Sequence, residues 1–430
     1  MKEIYRLGSL RGSIQMPPDK SIAHRSAMFA SIAEGTSVIR NYSLAADPQT
    51  TLACFRALGV PIEQVGTTVT VSGVGRDGLR MPAGDLDCGN SGTTVRLMTG
   101  ILAGAGISAR MIGDASLSGR PMKRVLGPLS SMGLRYEARE GGLLPLQLLG
   151  ADGGKLKAIR YELPIPSAQV KSCVLLAGLY TDEPTQVVER VLSRDHTERL
   201  IGVDVEEMND GRVLTTSRNT EIPLQNYAVP GDFSAAAFWL VAGSIYPDSE
   251  IRLKHVGVNP TRTAALDILR RMGADIEIHP NLDMSGEPVA DIVVRSAELF
   301  ATEILPEEVP NCIDELPVLS VAMAYARGIS LFRGAEELRH KESDRLDAVA
   351  AMLKGAGVRF TEHEDGLTIQ GQPGFVPGGA VYESVHDHRI AMSAGILAGL
   401  SGHRSTITHP ECTAISYPDF WEDLHHLSGS

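Results

Sequence analysis

Residues 89–110 read GNSGTTVRLMTGILAGAGISAR. A short polar start opens a run of small and apolar residues, which closes on a glycine turn and enters a strand-like segment. The same order recurs in DKSIAHRSAMFASIAEGTSVIR (19–40), PSAQVKSCVLLAGLYTDEPTQVV (166–188), GDFSAAAFWLVAGSIYPDSEIRL (231–253), IDELPVLSVAMAYARGISLF (313–332) and HDHRIAMSAGILAGLSGHRSTI (386–407). The starts lie at intervals of about 65–80 residues, so six copies account for the chain. Several copies carry a second half, a helix ending near glycine and then two strands, as in LDAVAAMLKGAGVRFTEHEDGLTIQG (346–371). The repeating unit reads helix–strand–helix–strand–strand. Six units predict an α/β chain of two similar domains, each built from three units. Gly and Pro mark crossings near LRGSIQMPPDK and QNYAVPGDF. One domain is therefore predicted over 15–228, and the other over 1–14 together with 229–430, with two hinge crossings.

Composition narrows the function class. The chain has 430 residues, 43% hydrophobic and 21% charged, the balance of a soluble globular protein. Forty Lys and Arg against 52 Asp and Glu give a net charge of −12, which argues against nucleic acid or an anionic membrane as partner. The five cysteines (Cys54, Cys88, Cys173, Cys312, Cys412) are scattered and form no CxxC pair, so they read as reduced and structural. MKEIYRLGSLRG lacks an apolar leader core, and no stretch approaches a membrane span. A cytoplasmic protein is expected.

The repeat also places chemistry. Each polar start sits at a helix N-terminus, where free N–H groups and the helix dipole favour anions. Ser, Asp and Asn are ordinary caps there, and Asp232, Asp387 and Asn90 read equally well as caps and as contacts. Capping does not account for Lys20, Arg25, Arg96 and Arg389, because cations are unfavourable at that end. Two such cations 6 Å apart would repel by about 2–3 kcal/mol at an effective dielectric near 20. A bound polyanion would relieve that repulsion, so the starts predict a cleft for ligands carrying phosphate and carboxylate groups.

A second charged stretch, LRHKESDRLDAV (338–349), precedes an amphipathic stripe of Leu346, Val349, Ala350 and Leu353. Glu342 lies one turn before Leu346, so the spacing predicts an inward-facing carboxylate between Lys341 and Arg345. A solvated face with i,i+4 pairs is the plainer reading of such a run. Trp239 and Phe238, within AAAFWLVAG, read as core.

The ordered set PPDKSIAHRS, GNSGTTVRLM, GDASLSGRPM, PSAQVKS, KESDRL, HDHRIAM and YPDF resembles the 5-enolpyruvylshikimate-3-phosphate synthase family of enolpyruvyl transferases over nearly the whole chain. The resemblance implies two similar domains of three βαβαββ units with the cleft between them. It implies transfer of the enolpyruvyl group of phosphoenolpyruvate to the 5-hydroxyl of shikimate 3-phosphate, releasing phosphate, in aromatic amino-acid biosynthesis. No organic cofactor and no metal is implied. Position by position, Lys20 matches a lysine that spans both substrates. Ser21, Arg25, Ser167, Gln169, Ser193, Asp314 and Lys341 match shikimate 3-phosphate contacts. Asn90, Gly92, Arg120, Gln169, Arg345, His388 and Arg389 match the phosphoenolpyruvate site, with Asp387 beside them. Lys20, Asp314 and Glu342 take the catalytic roles, with Glu342 as acid and base at the methylene carbon. The herbicide glyphosate occupies the phosphoenolpyruvate site in this family; Gly92 leaves room for it, and Leu97 replaces a common proline nearby. A monomer that closes on its ligands is expected.

Several positions depart from the family pattern. Ala168 stands where many members have a second serine, Glu337 where some have asparagine, His196 where a tyrosine is found and Ile415 where some have lysine. Lys171 and Arg194 read equally as replacement contacts and as solvated cations. His386 and His388, two apart at a helix start, make poor metal partners. The sister UDP-N-acetylglucosamine enolpyruvyl transferases carry a reactive cysteine where this chain has Ala115, which counts against that activity. An RNA 3′-end cyclase-like protein would need a nucleotide site and a more basic surface. A catalytically dead anion binder would not need Asp314 and Glu342.

Overall fold

A computed structural model of the chain describes residues 1–281 and 285–429. The chain forms two compact units. The terminal unit holds both chain ends, Met1–Pro17, Gly231–Leu282 and Pro288–Ser430; the inserted unit is Pro18–Pro230 with Asp283–Glu287. The long crossings therefore fall at 17/18 and 230/231, and Glu287 counts with the inserted unit.

Among the described residues, five four-stranded sheets share one topology. In the sheet built from Leu86–Asp87, Ala109–Ile112, Leu143–Ala151 and Leu134–Arg139, the first pair is parallel and the other two are antiparallel. With the intervening helices this is a βαβαββ unit, the parallel pair being joined by the inner helix. The sixth sheet has three strands, Lys2–Ile4, Ser405–Ile407 and Val381–Tyr382.

The crossings explain which strand serves which sheet. Arg11–Gln15 precedes the inserted unit in sequence, yet it pairs in parallel with Glu250–Gly257 of the terminal unit. The inserted unit thus begins without a first strand, and Tyr227–Ala228 supplies it by pairing in parallel with Glu34–Arg40. Each long crossing leaves a strand on the side it departs from.

Each unit has its own hydrophobic core around three inner helices. Gly92–Gly104 packs on Lys20–Ile32 and on Ala168–Gly178 in the inserted unit; Leu316–Tyr325 packs on Phe233–Ile245 and His388–Ala398 in the terminal unit. These helices are apolar on nearly every side. Every residue of Leu316–Tyr325 is buried, and so are Trp239 and Phe238, as their setting predicts. Small residues allow the helices to approach closely. A Cβ on Gly100 would lie 2.2 Å from the carbonyl oxygen of Cys173 on the facing helix. Among the described residues no helix is long and apolar enough to cross a membrane.

Gly100→Ala forces two helix backbones apart, and a loss of about 1–3 kcal/mol is expected from the urea unfolding midpoint. Gly355→Ala lies in the Arg345–Ala356 helix, where the new methyl meets Tyr382 no closer than 3.5 Å. That variant should gain up to about 1 kcal/mol in the same assay.

Candidate active site

The polar starts become helix caps. Asp19, Ser91, Ser167, Asp232 and Asp387 each accept a backbone N–H in the first turn of an inner helix. The two aspartates read either way are thus caps. Asn90 is not, because Ser91 takes that role. The caps leave the neighbouring long side chains to other partners, and these differ between the units.

In the inserted unit Arg120, Arg96 and Arg25 donate to neutral groups. Arg120 donates from Nη2 to Asn90 Oδ1 (2.9 Å) and Ser116 Oγ (3.0 Å), while Asn90 donates to Asp114 (2.7 Å). Arg96 donates to Gln169 Oε1 (2.8 Å), and Gln169 donates to Thr93 (3.2 Å). Gly92 sits against both guanidinium groups: a Cβ there would lie 2.8 Å from Arg96 Nη1 and 3.8 Å from Arg120 Nη1. The amide oxygens orient the two arginines at the start of the Gly92–Gly104 helix, where backbone N–H groups and the helix dipole favour an anion. Lys20 pairs with Asp47 at 3.0 Å. Arg25 is buried and donates to Thr197 (2.8 Å), Ser172 (2.9 Å) and the Ser21 carbonyl (3.1 Å). Burial lowers its pKa to about 10, against the pull of Glu198.

Lys171 is neither solvated nor at a ligand surface. It is fully buried, with Nζ 3.0 Å from Glu189 and 2.7 Å from Glu198, and Arg212 completes the network. Both sequence readings of Lys171 are therefore corrected: it compensates two buried carboxylates, which would otherwise cost several kcal/mol. Glu189 in turn accepts the Ser193 backbone N–H (2.8 Å) and hydroxyl. His196 is buried against Glu287 at 2.7 Å. Arg194 is half-buried.

In the terminal unit the cations face carboxylates. Arg345 is buried beneath three of them, with Nε 2.8 Å from Asp387, Nη1 3.2 Å from Asp314 and Nη2 2.6 Å from Glu342. Burial opposes its charge, but the three carboxylates outweigh burial and raise its pKa. Asp314 is shared with Lys341 (3.7 Å) and Arg389 (3.9 Å), and Arg389 also donates to the Asp314 carbonyl (2.9 Å). Arg389 lies 3.7 Å from the buried Glu315. Burial works against the Asp387 charge, yet the charge and hydrogen bond of Arg345 hold its pKa low. His388 is buried, and its pKa falls to about 3, so it is neutral at working pH. Among the described residues of this unit, Arg345, Lys341 and Arg389 face Asp314, Glu315, Glu342 and Asp387.

One sequence inference about this cluster is corrected. The helix begins at Arg345, with Asp344 as its cap, so Glu342 and Lys341 lie outside it. Glu342 does not continue the apolar stripe. Its side chain is 30% exposed, and Arg345 draws it in. The residues before Asp387 are unusual too. Val385 and His386 both have left-handed backbones, and the His386 ring stacks on His409 at 3.7 Å. For a β-branched valine that is a strained conformation, stored next to the cap.

The predicted residues thus form two sets. Lys20, Ser21, Arg25, Asn90, Gly92, Arg120, Ser167, Gln169 and Ser193 belong to the inserted unit; Asp314, Lys341, Glu342, Arg345, His388 and Arg389 belong to the terminal unit. Glu315 was not assigned from the sequence, and Arg96 was singled out there as a helix-start cation suited to an anion but was given no particular ligand. Its i,i+4 spacing from Gly92 was the available signal. Glu189 and Glu198 gave none, since they meet Lys171 only through the fold.

The sequence profile of the family described as EPSP synthase (3-phosphoshikimate 1-carboxyvinyltransferase) matches residues 4–424. A 3-phosphoshikimate 1-carboxyvinyltransferase of Salinibacter ruber is 46% identical over 432 residues, with all of both chains covered. One from Synechococcus sp. (strain JA-3-3Ab) is 48% identical, covering 97% of this chain and 94% of its own. The solved EPSP synthase of Acinetobacter baumannii superposes with a TM-score of 0.88 at 40% identity, covering 99% of this chain and 98% of that one. The enolpyruvyl transferase NikO of Streptomyces tendae shares the fold, with a TM-score of 0.78 at 20% identity and coverage of 99% and 96%. With the profile running through both units and relatives matching end to end, the chain belongs to the EPSP synthase (3-phosphoshikimate 1-carboxyvinyltransferase) family.

Proposed function

We propose that the protein transfers the enolpyruvyl group of phosphoenolpyruvate to the 5-hydroxyl of shikimate 3-phosphate through an addition–elimination, with Glu342 as the proton carrier at carbon. The single observation that supports this most is the Arg345 junction. One buried guanidinium holds Glu342, Asp314 and Asp387 in fixed directions, while Glu342 keeps an exposed flank. Addition needs a proton delivered to the methylene carbon and one removed from the hydroxyl. Elimination takes a proton back from the new methyl group and expels phosphate. A carboxyl group fixed beside that carbon serves both carbon steps. Asp314 and Lys20 act on the hydroxyl side.

In the same reading Arg120, Asn90, Gly92, Gln169, Arg345, His388 and Arg389 bind phosphoenolpyruvate. Arginine suits its carboxylate and phosphate because the planar fork binds two oxygens at once. Lys20, Ser21, Arg25, Ser167, Gln169, Ser193, Asp314 and Lys341 bind shikimate 3-phosphate. The Ser193 hydroxyl gives its proton to Glu189, so toward a phosphate it would first have to turn. His196 is held by Glu287 through Nδ1, so only its Nε2, buried and without a hydrogen-bond partner among the described residues, could stand in for a phosphate-binding tyrosine. The fixed cations and helix N-termini stabilise charge that develops in the intermediate. We take the enzyme to act as a cytoplasmic monomer.

The direct test is phosphate release from phosphoenolpyruvate, expected only when shikimate 3-phosphate is present. Glu342→Gln should bind both substrates normally and lose about 10²–10⁴-fold in kcat; near-normal turnover would remove Glu342 from the chemistry. Gly92→Ala adds a methyl beside Arg96 and Arg120. It should raise the inhibition constant for glyphosate by more than it raises the KM for phosphoenolpyruvate, and equal responses would contradict the assignment.

A further inference from the structure

Behind the Lys20–Asp47 pair runs a chain of buried side chains that the reaction as described does not use. His24 lies one turn after Lys20 on the Lys20–Ile32 helix, and Thr51 one turn after Asp47 on Ala46–Ala57. His24 Nδ1 meets Thr51 Oγ1 at 2.6 Å, and Thr51 Oγ1 meets Thr94 Oγ1 at 2.8 Å. Thr94 Oγ1 donates to Ser91 Oγ at 2.7 Å, and Ser91 Oγ also accepts the Thr94 backbone N–H at 3.1 Å. All four side chains are fully buried. The chain ends on the residue between Asn90 and Gly92.

Its direction follows from counting protons. A hydroxyl has one proton to give. Thr94 gives its own to Ser91, so Thr94 accepts from Thr51. Thr51 has then spent its proton, so the imidazole must be the donor at Nδ1. The other ring nitrogen agrees: Nε2 is buried with no hydrogen-bond partner, which suits the bare lone pair of an Nδ1–H tautomer. Burial also lowers the His24 pKa to about 3, so the ring stays neutral and the chain keeps one direction across the working range.

We propose that His24 and Thr51 are positioning residues for phosphoenolpyruvate. They fix Ser91 from behind, and through it they fix Asn90 and Gly92 on either side. Removing any link lets the helix start shift relative to Arg96 and Arg120, which weakens phosphoenolpyruvate binding and leaves shikimate 3-phosphate binding intact. The proposal rests on the reading above that Asn90 and Gly92 serve phosphoenolpyruvate.

Steady-state kinetics with each substrate varied in turn test it. Thr51→Val keeps the shape and deletes both bonds; it should raise the KM for phosphoenolpyruvate about tenfold, the scale of one lost hydrogen bond. The KM for shikimate 3-phosphate should stay within about twofold, and Thr51→Ser should restore the parent value. His24→Asn puts an amide N–H near the Nδ1 position and should behave like the parent, whereas His24→Leu should reproduce Thr51→Val. Equal rises in both KM values, or a lower melting temperature with unchanged kinetics, would mean the chain is only structural and would overturn the proposal. Equal effects of His24→Asn and His24→Leu would overturn its direction. Should Thr51→Val fail to fold, the two His24 variants decide. Asn90→Ala separates the two layers. If it raises the KM for phosphoenolpyruvate while Thr51→Val does not, positioning alone fails. If it has no effect, the assignment of the subsite fails.

Discussion

A helix that is apolar on every side must be buried on every side, and its polar groups can then meet the rest of the protein only at its ends. Two inner helices of the terminal unit come nearest to this constraint. Phe233–Ile245 and Leu316–Tyr325 have no solvated face to carry chemistry. Up to four N–H groups remain at the start of such a helix, fewer in Leu316–Tyr325 where Pro317 has none, and leaving them buried and unpaired is costly. The short polar motifs answer that need first, as caps. Their use in binding builds on a polar surface that folding already requires.

The two units handle charge at these ends in different ways. In the inserted unit, Asn90 and Gln169 steer Arg120 and Arg96 through amide oxygens. In the terminal unit, Arg345 sits under Asp314, Glu342 and Asp387, so the guanidinium acts as a fixed hub for carboxylates. The first arrangement sets two guanidinium groups in direction beside a helix start, where N–H groups and the dipole favour anions. The second sets three carboxylates in fixed directions around one buried cation.

Part of this was legible from residues alone. The six-fold recurrence of polar start, small-residue helix and strand contained the βαβαββ unit, since hydrophobic period and turn chemistry are local properties. The caps at Asp19, Ser91 and Ser167 follow from local preference as well. Glu342 shows where the same logic failed. The apolar stripe from Leu346 onward was real, but extending it backward ignored Asp344, whose capping preference marks the true helix start. Lys171 shows a different failure. Its partners Glu189 and Glu198 lie 18 and 27 residues away, and no periodicity links them.

The sequence by itself determined the repeating unit, the sites of the helix starts and the residue types available there, because each depends on neighbours within a turn or two. Tertiary structure decided which strand completes which sheet, as with Arg11–Gln15 and Tyr227–Ala228, and which charge neutralises which. It made Lys171 a buried counter-ion, turned Glu342 toward Arg345, and joined His24 to Ser91 through two threonines on different helices. The physical reason is range. Backbone preference acts over a few residues, whereas burial raises the strength of an ion pair or hydrogen bond only once distant segments have excluded water around it.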